Sequence, residues 1–139
     1  MRAMPYTTLH ATPSAEVYRH LRVACGLSPK SADAAARGLP GTLFAVQVLH
    51  AGEAVGMGRV IGDGGTAFQV VDIAVLPEHQ GRGLGKRLMA EIAAWLQAHV
   101  PESGYVSLLA DVPADALYAQ FGFVATAPRT VGMAWRRRA

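Results

Sequence analysis

The chain has 139 residues, enough for one hydrophobic core, and we expect a single domain over residues 1–139. Its 51% hydrophobic and 17% charged residues are typical of a soluble protein, and a net charge of +3 without interleaved aromatic residues argues against a nucleic-acid partner. Cys25 is the only cysteine, which excludes an internal disulfide and favours a cytoplasmic location. No apolar run of about 18 residues and no signal-peptide pattern occurs, so we expect no membrane partner and no secretion.

The N-terminal part predicts one short strand and two helices. The strand is expected within residues 6–10. Residues 12–26 begin with Thr-Pro, a helix-start signal, and end on a glycine that stops the helical periodicity. Ser31 can cap a second, alanine-rich helix, which should end within residues 38–40 because a glycine and a proline occur there.

The middle of the chain changes to the period of strands. We expect strands at residues 43–49, 54–61 and 67–76, separated by short turns that contain glycine. Their order in the chain predicts an antiparallel meander. Gly56 and Gly58 inside the second strand predict a bulge or the close approach of another group.

A glycine-rich loop follows the third of these strands and precedes the longest helix, expected over residues 84–99. The loop, residues 80–86, reads Gln-Gly-Arg-Gly-Leu-Gly-Lys. Its glycines let backbone amides point inward, and the helix start adds unpaired donors, so the loop should bind phosphate. Arg82, Lys86 and Arg87 crowd the positive end of the helix dipole, a conflict that a polyanionic ligand would resolve.

The glycine spacing excludes two common nucleotide motifs. The Walker motif needs four residues between its glycines and a Ser or Thr after its lysine, whereas Gly81 and Gly85 enclose three and an arginine follows Lys86. The dinucleotide fingerprint G-x-G-x-x-G fails as well, because Gly81, Gly83 and Gly85 give G-x-G-x-G.

The C-terminal part predicts a buried strand at residues 105–110 and a short helix over residues 113–120. Two more strands are expected, one that opens at Gly122-Phe123 and one near residues 131–135. The predicted order is therefore β-α-α-β-β-β-α-β-α-β-β, which describes a mixed sheet with helices on its faces.

Two motifs in this order resemble those of the GNAT acyltransferases. Residues 80–85 are similar to the family's pyrophosphate loop, Q/R-x-x-G-x-G/A, and residues 118–123 resemble its Y-x-x-x-G-F motif. The resemblance extends over nearly the whole chain and implies an α/β (α+β) fold, the GNAT fold, with a mixed six- to seven-stranded sheet flanked by about four helices. It also implies acetyl-coenzyme A (acetyl-CoA) as the acyl-donor cosubstrate. The histidines show no metal-ligand spacing, so we expect no metal.

The resemblance also implies which residues contact the cosubstrate. They lie on the glycine loop, at the end of the strand before it, after the fifth strand and on the last helix: Ile73, Ala74, Val75, Gln80, Gly81, Arg82, Gly83, Leu84, Gly85, Lys86, Asp111 and Tyr118. The backbone N–H of Val75 is expected to polarise the thioester carbonyl. Tyr118 is the candidate general acid, because a phenol is still protonated at pH 7. The plainer alternatives are a Tyr118 hydroxyl in water and an Asp111 that caps the following helix.

The general base is a less definite prediction. The histone-modifying branch of the family uses a glutamate on the strand before the loop, and the matching residue here is Gln69, which cannot accept a proton. Asp72 is the leading substitute, and we weigh equally an Asp72 that pairs with Arg59 or another cation. Asp63 is expected to be a turn residue, with a carboxylate near the amine site as its alternative.

The leading functional hypothesis is N-acetylation of a small-molecule amine by direct transfer in a ternary complex. The acceptor pocket should be built from the first two helices, especially residues 27–31 with Leu27 and Ser31, together with Arg59 and residues 127–132. A free carboxylate on the acceptor could pair with Arg59. Two alternatives are acetylation of a protein or peptide and a non-catalytic acyl-CoA sensor. A homodimer is left open.

Overall fold

The computed structural model describes residues 5–138, which form five strands and four helices. In chain order these are β1 (Tyr6–Leu9), α1 (Ala15–Ala24), α2 (Ala32–Gly38), β2 (Phe44–His50), β3 (Glu53–Gly62), β4 (Ala67–Val75), α3 (Leu84–His99), β5 (Tyr105–Ser107) and α4 (Asp115–Ala119). Single turns of 3-10 helix occur at Leu39–Gly41 and Pro77–His79.

Side-chain caps decide where the first two helices begin. The hydroxyl of Ser14 accepts a hydrogen bond from the amide of Val17, so α1 begins two residues after the Thr-Pro signal. The hydroxyl of Ser31 accepts from the amide of Ala34 in the same way, which confirms the predicted cap of α2. The bounds of α3 agree with those that the periodicity predicts.

The sheet is mixed, as expected, and its strands lie in chain order from β1 to β5. The first four strands pair antiparallel, and β5 pairs parallel to β4. The GNAT-like α+β class is thus confirmed, although the described residues form five strands and not six or seven. The two missing strands were expected after Gly122 and at residues 131–135. An apolar stretch alone does not make a strand, and β5, three residues long, offers little edge for further pairing.

A bulge changes the direction of β4 near its end. Met57 pairs with Ala74 and Arg59 pairs with Val71, so Gly58 alone faces two residues of β4, Asp72 and Ile73. Asp72 has a φ angle of +61°, the left-handed conformation that such a bulge uses. A Cβ on Gly58 would lie 2.6 Å from Cδ1 of Ile73, which confirms the predicted close approach at this glycine.

The last two strands of the sheet separate after a short paired stretch. β4 and β5 pair only from Ala67 with Tyr105 to Gln69 with Ser107. Among residues 5–138, the rest of β4, residues 70–75, has no strand partner on that side. An opening is therefore left between the two strands, with a free backbone edge along one wall.

Helices cover both faces of the sheet. Leu88, Met89 and Ile92 of α3 are fully buried in one apolar cluster with β2, β3 and β4, and each contributes about 2–3 kcal/mol of burial free energy. A second cluster joins α1 and α2 to Met57 and Ala74. Among residues 5–138, none of the helices combines the length and the hydrophobicity that a membrane-spanning segment requires.

Candidate active site

The glycine-rich loop before α3 presents a row of unpaired backbone donors. Gly81 and Gly83 have φ angles of +77° and +76°, a conformation that glycine adopts without steric penalty. Gly83 is the N-cap of α3 and makes no side-chain cap bond. Across residues 5–138, the amides of residues 81–86 donate to no protein acceptor. Free amides at a helix N-terminus bind phosphate, so this loop fits the diphosphate of a coenzyme.

Three cations reinforce the positive end of α3. Arg82 Nη1 donates to the hydroxyl of Tyr6 at 3.1 Å, and Arg87 Nη1 donates to the carbonyl of Tyr6 at 3.0 Å, so β1 holds two of them in place. Lys86 lies in the same first turn, which contains no acidic residue. This arrangement is unfavourable without a bound anion and favourable with one.

The free edge of β4 lies beside this loop. The amide of Leu76 donates to Val55 of β3, and backbone groups alternate in direction along a strand, so the amide of Val75 points to the opposite, open edge. The carbonyl of Val75 accepts a hydrogen bond from Gln80 Nε2 at 3.1 Å. Gln80 therefore fastens the loop to the strand, and an extended ligand could pair with the edge that Ile73, Ala74 and Val75 form.

A cavity of about 460 Å³ occupies the opening between β4 and β5. Its walls include Tyr18 and Arg22 from α1, Asp72 and Ile73 from β4, and Tyr118 from α4. Its volume is in the range of sites that bind small molecules. The cavity thus brings the predicted catalytic residues Asp72 and Tyr118 together beside Ile73 of the β4 edge.

Tyr118 is half-buried in the wall of this cavity, and the pKa of its phenol is shifted from the usual value. Burial raises the pKa of Tyr118, and the negative charge of Asp111, which also lines the cavity, raises it further. The hydroxyl therefore holds its proton at neutral pH and into the alkaline range. A group in that state can donate a proton but cannot accept one as a base.

Asp72 lies at the centre of a buried ion-pair cluster. Arg22 Nη1 is 2.6 Å from Asp72 Oδ1, and Arg59 Nε is 2.8 Å from Oδ2. The hydroxyl of Tyr18 also donates to Oδ1, at 3.2 Å. The pairing with Arg59 that the sequence offered as an alternative is therefore present, and Arg22 makes a second pair.

Some of the other predicted site residues line the cavity, and others cap or pack the helices. Leu27, Arg59 and Asp111 line the cavity. The hydroxyl of Ser31 is engaged as the cap of α2. A Cβ on Gly85 would lie 3.3 Å from Leu117 Cδ2, so this glycine also lets α3 pack closely against α4. Asp111 makes no side-chain cap at α4, whose N-cap is Ala114, so its capping alternative is not observed.

Sequence reasoning assigned the loop over residues 27–31, which includes Lys30, to the pocket, but it did not single out two polar residues of the cavity, Tyr18 and Arg22. Tyr18 and Arg22 are four residues apart in α1, a spacing that places both on one helix face. Arg22 is 92% buried, which is unusual for an arginine unless it is paired, and here it pairs with Asp72. In the sequence, a tyrosine and an arginine on the helix face that also carries Leu21 could have indicated a polar site under α1.

A larger cavity of about 1230 Å³ lies between α3, β5 and the C-terminal segment, and residues 127 and 130–132 line it. It includes Tyr118 but no residue of β4, whereas residues 69–73 of β4 line the smaller cavity, so we assign the candidate site to the smaller one. Within residues 5–138, no three His, Cys, Asp or Glu side chains lie close enough together to hold a metal ion.

Comparison with curated proteins identifies two relatives. GCN5-related N-acetyltransferase 2, chloroplastic, from Arabidopsis thaliana is 37% identical over 82 residues, which are 58% of this chain and 31% of that protein. The uncharacterized N-acetyltransferase ycf52 of Gracilaria tenuistipitata var. liui is 31% identical over 81 residues, 58% of this chain and 43% of that protein. The chain spans less than half the length of these two curated relatives.

Solved structures match over most of the chain. A protein of unknown function from methicillin-resistant Staphylococcus aureus, described as a probable acetyltransferase, is 46% identical with a TM-score of 0.91, over 96% of this chain and 100% of that one. A GNAT family acetyltransferase from Streptococcus pneumoniae is 26% identical with a TM-score of 0.77, over 97% and 100% of the two chains. The family profile described as Acetyltransferase (GNAT) domain matches residues 41–125, more than half of the chain. The chain therefore belongs to the GNAT acetyltransferase family.

Proposed function

We propose that this protein is an N-acetyltransferase that transfers the acetyl group of acetyl-CoA directly to a primary amine of a small molecule. The observation that carries the proposal is the row of free amides at residues 81–86, which lies beside the open edge of β4. That edge leads into the cavity that contains Tyr118. The free amides can bind a diphosphate, the open edge of β4 can pair with an extended ligand, and the cavity can hold the acceptor.

The first task of this surface is to hold and orient the acyl donor. When bound, acetyl-CoA supplies an acetyl thioester, whose carbonyl carbon is attacked by the amine and whose thiolate leaves. The amides of residues 81–86, with Arg82 and Lys86, would hold the diphosphate. The edge formed by Ile73, Ala74 and Val75 would align the arm, and the amide of Val75 is the candidate donor to the carbonyl oxygen. One such donor contributes about 3 kcal/mol to the transition state.

Tyr118 is the proposed general acid. Its raised pKa keeps the hydroxyl protonated at neutral pH, and its position in the cavity wall suits donation to a departing thiolate. After transfer, the new amide bond replaces the thioester bond, the sulfur gains a proton, and the amine nitrogen loses one. Asp111 is proposed to contact the cosubstrate beside Tyr118.

Asp72 is the proposed acceptor of the amine's proton, directly or through a water. Gln69 lines the cavity but cannot act as a base. Each carboxylate oxygen accepts about two hydrogen bonds, and Oδ1 of Asp72 already accepts from Arg22 and Tyr18. Oδ2 accepts only from Arg59 among the described residues, so one acceptor position remains there.

A panel of acceptors tests the proposed reaction. The protein is incubated with acetyl-CoA and with simple amines, amino acids or peptides, and release of the free thiol is followed. We expect release with small amines and none with peptides. Turnover only with peptides would support a protein acetyltransferase, and binding of acetyl-CoA without turnover on any acceptor would support a sensor.

Replacement of Tyr118 by Phe tests the proposed acid. We expect kcat to fall by about 100-fold, the scale of general acid catalysis, while the Kd for acetyl-CoA hardly changes. Tyr105→Phe is a matched control, because Tyr105 is an exposed tyrosine on β5 and loses the same hydroxyl. Equal loss of turnover in the two variants, or none in Tyr118→Phe, would remove Tyr118 from the mechanism.

A further inference from the structure

The cluster around Asp72 carries more positive than negative charge. Arg22 and Arg59 are both more than 90% buried, and among residues 5–138 each forms its ion pair only with Asp72. Two guanidinium groups against one carboxylate leave a buried excess of one positive charge. A buried charge without a counter-ion is unfavourable, so the cluster is incomplete as it stands.

The hydrogen bonds of the two arginines show where a counter-ion would fit. Arg22 is held by the backbone carbonyl and the hydroxyl of Ser28 as well as by Asp72. Arg59 Nε donates to Asp72 and its Nη1 donates to Thr42 at 2.6 Å, whereas Nη2 has no acceptor among the described residues. This nitrogen keeps some exposure, and Arg59 lines the cavity, so a ligand in the cavity is a suitable acceptor for it.

The charges along the cavity differ between its two sides. Lys30 lines it together with Arg22 and Arg59, which makes the side near α1 cationic. Asp111 lines it together with Tyr118, on the side contributed by β5 and α4. Counting Asp72, three cations and two carboxylates line the cavity, a net charge of +1. A ligand with a carboxylate at one end and an amino group at the other would match both sides.

We infer that the acceptor is a small amine that also carries a carboxylate, as an amino acid does, and that Arg59 and Lys30 bind this carboxylate. The inference rests on the proposed N-acetyltransferase function and names its substrate class. Arg59 can offer Nη2 in a charge-assisted hydrogen bond, and Lys30, which is exposed at the rim, adds a second positive charge. The amino group would then lie in the cavity that also contains Tyr118 and the free acceptor position on Asp72 Oδ2.

Matched pairs of substrates provide the test. Leucine and phenylalanine are compared with isoamylamine and phenethylamine, their decarboxylated forms, and phosphoethanolamine is included as an amine with a phosphate. We expect kcat/KM for the amino acids to exceed that for the decarboxylated amines by tenfold or more, the effect of about one charge-assisted hydrogen bond. Equal or better turnover of the decarboxylated amines, or a preference for phosphoethanolamine, would overturn the carboxylate inference and leave the N-acetyltransferase proposal intact. No turnover on any amine would overturn both.

Two substitutions locate the carboxylate site. Lys30→Met, at an exposed position, and Arg59→Lys, which keeps the charge but moves it, should each reduce several-fold the ratio of kcat/KM for an amino acid to kcat/KM for its decarboxylated amine. Arg37→Met is the control, because Arg37 is exposed on α2, pairs only with Asp33 among the described residues and does not line the cavity. Thermal unfolding verifies that each variant is folded. A folded Lys30→Met and a folded Arg59→Lys that both retain the full preference for amino acids would contradict the inference.

Discussion

At the scale of single residues, Asp72 connects the fold to the site. It is the residue of the β4 bulge with a left-handed backbone, and its side chain is 5% exposed. Asparagine and aspartate tolerate this conformation better than other residues with a Cβ. The same carboxylate orders Arg22 from α1 and Arg59 from β3, so a strained strand position is stabilised by two arginines that line the cavity between β4 and β5.

Replacing Asp72 by Asn should destabilise the protein strongly. Asparagine keeps the shape and tolerates the positive φ angle, so the main change is that two buried arginines lose their only described counter-charge. Breaking a buried ion pair by removing one partner costs about 3–5 kcal/mol in the free energy of unfolding. Urea unfolding at pH 7 measures the change.

Asp33→Asn is the matched control for this experiment. Asp33 also pairs with an arginine, Arg37, but both side chains are more than 70% exposed. An exposed pair of this kind contributes less than about 1 kcal/mol. If both substitutions change the free energy of unfolding equally little, Asp72 is not a structural counter-charge.

At the scale of elements, the turn between β3 and β4 depends on one carboxylate. Asp63 accepts hydrogen bonds from the amides of Gly65, Thr66 and Ala67, and from the hydroxyl of Thr66. This confirms the expected turn residue, since all these partners lie within the turn or at the first residue of β4. The hydrogen bonds of Thr66 and of the three amides lower the pKa of Asp63 well below its usual range.

This lowered pKa predicts a pH dependence of the hairpin. A group whose pKa is depressed in the folded state stabilises the protein above its unfolded pKa, about 3.9 for aspartate, and loses that contribution as the pH falls through its folded value. The wild type should therefore be more stable than Asp63→Asn at pH 7, and this advantage should shrink progressively as the pH falls below about 4. Urea unfolding of both proteins between pH 7 and pH 2.5 measures the difference.

Glu102→Gln provides the control for the pH experiment. Glu102 is an exposed carboxylate in another turn and makes no side-chain hydrogen bond or ion pair with the described residues. Its replacement should leave the pH dependence of unfolding unchanged. A constant difference between wild type and Asp63→Asn across the whole range would contradict the proposed role of the ionised turn carboxylate.

At the scale of the whole molecule, local patterns predicted most of the elements. The bounds of α3, the caps of α2 and the antiparallel meander follow from signals within a few residues, and the structure agrees with them. The loop at residues 80–86 was recognisable because its chemistry depends on backbone geometry and local charge. The assignment to the GNAT family is confirmed by the family match.

Contacts between distant parts of the chain could not be predicted from local sequence patterns. Arg22 and Asp72 are 50 residues apart, and neither carries a local signal that it will meet the other. Likewise, residues 131–135 are apolar and compatible with a strand, but a strand also needs a partner edge, which sequence alone does not supply. The roles of the site residues, the single-domain organisation and the homodimer left open stay predictions.

The central claim is that the amides of residues 81–86 bind the diphosphate of the acyl donor. Isothermal titration calorimetry of the wild-type protein with coenzyme A and with pantetheine, which has the same thiol arm but no diphosphate, tests it most directly. We expect coenzyme A to bind with measurable heat and pantetheine to bind at least about 100-fold more weakly, because several charge-assisted hydrogen bonds are lost. Equal affinity for the two ligands, or no binding of coenzyme A, would contradict the account.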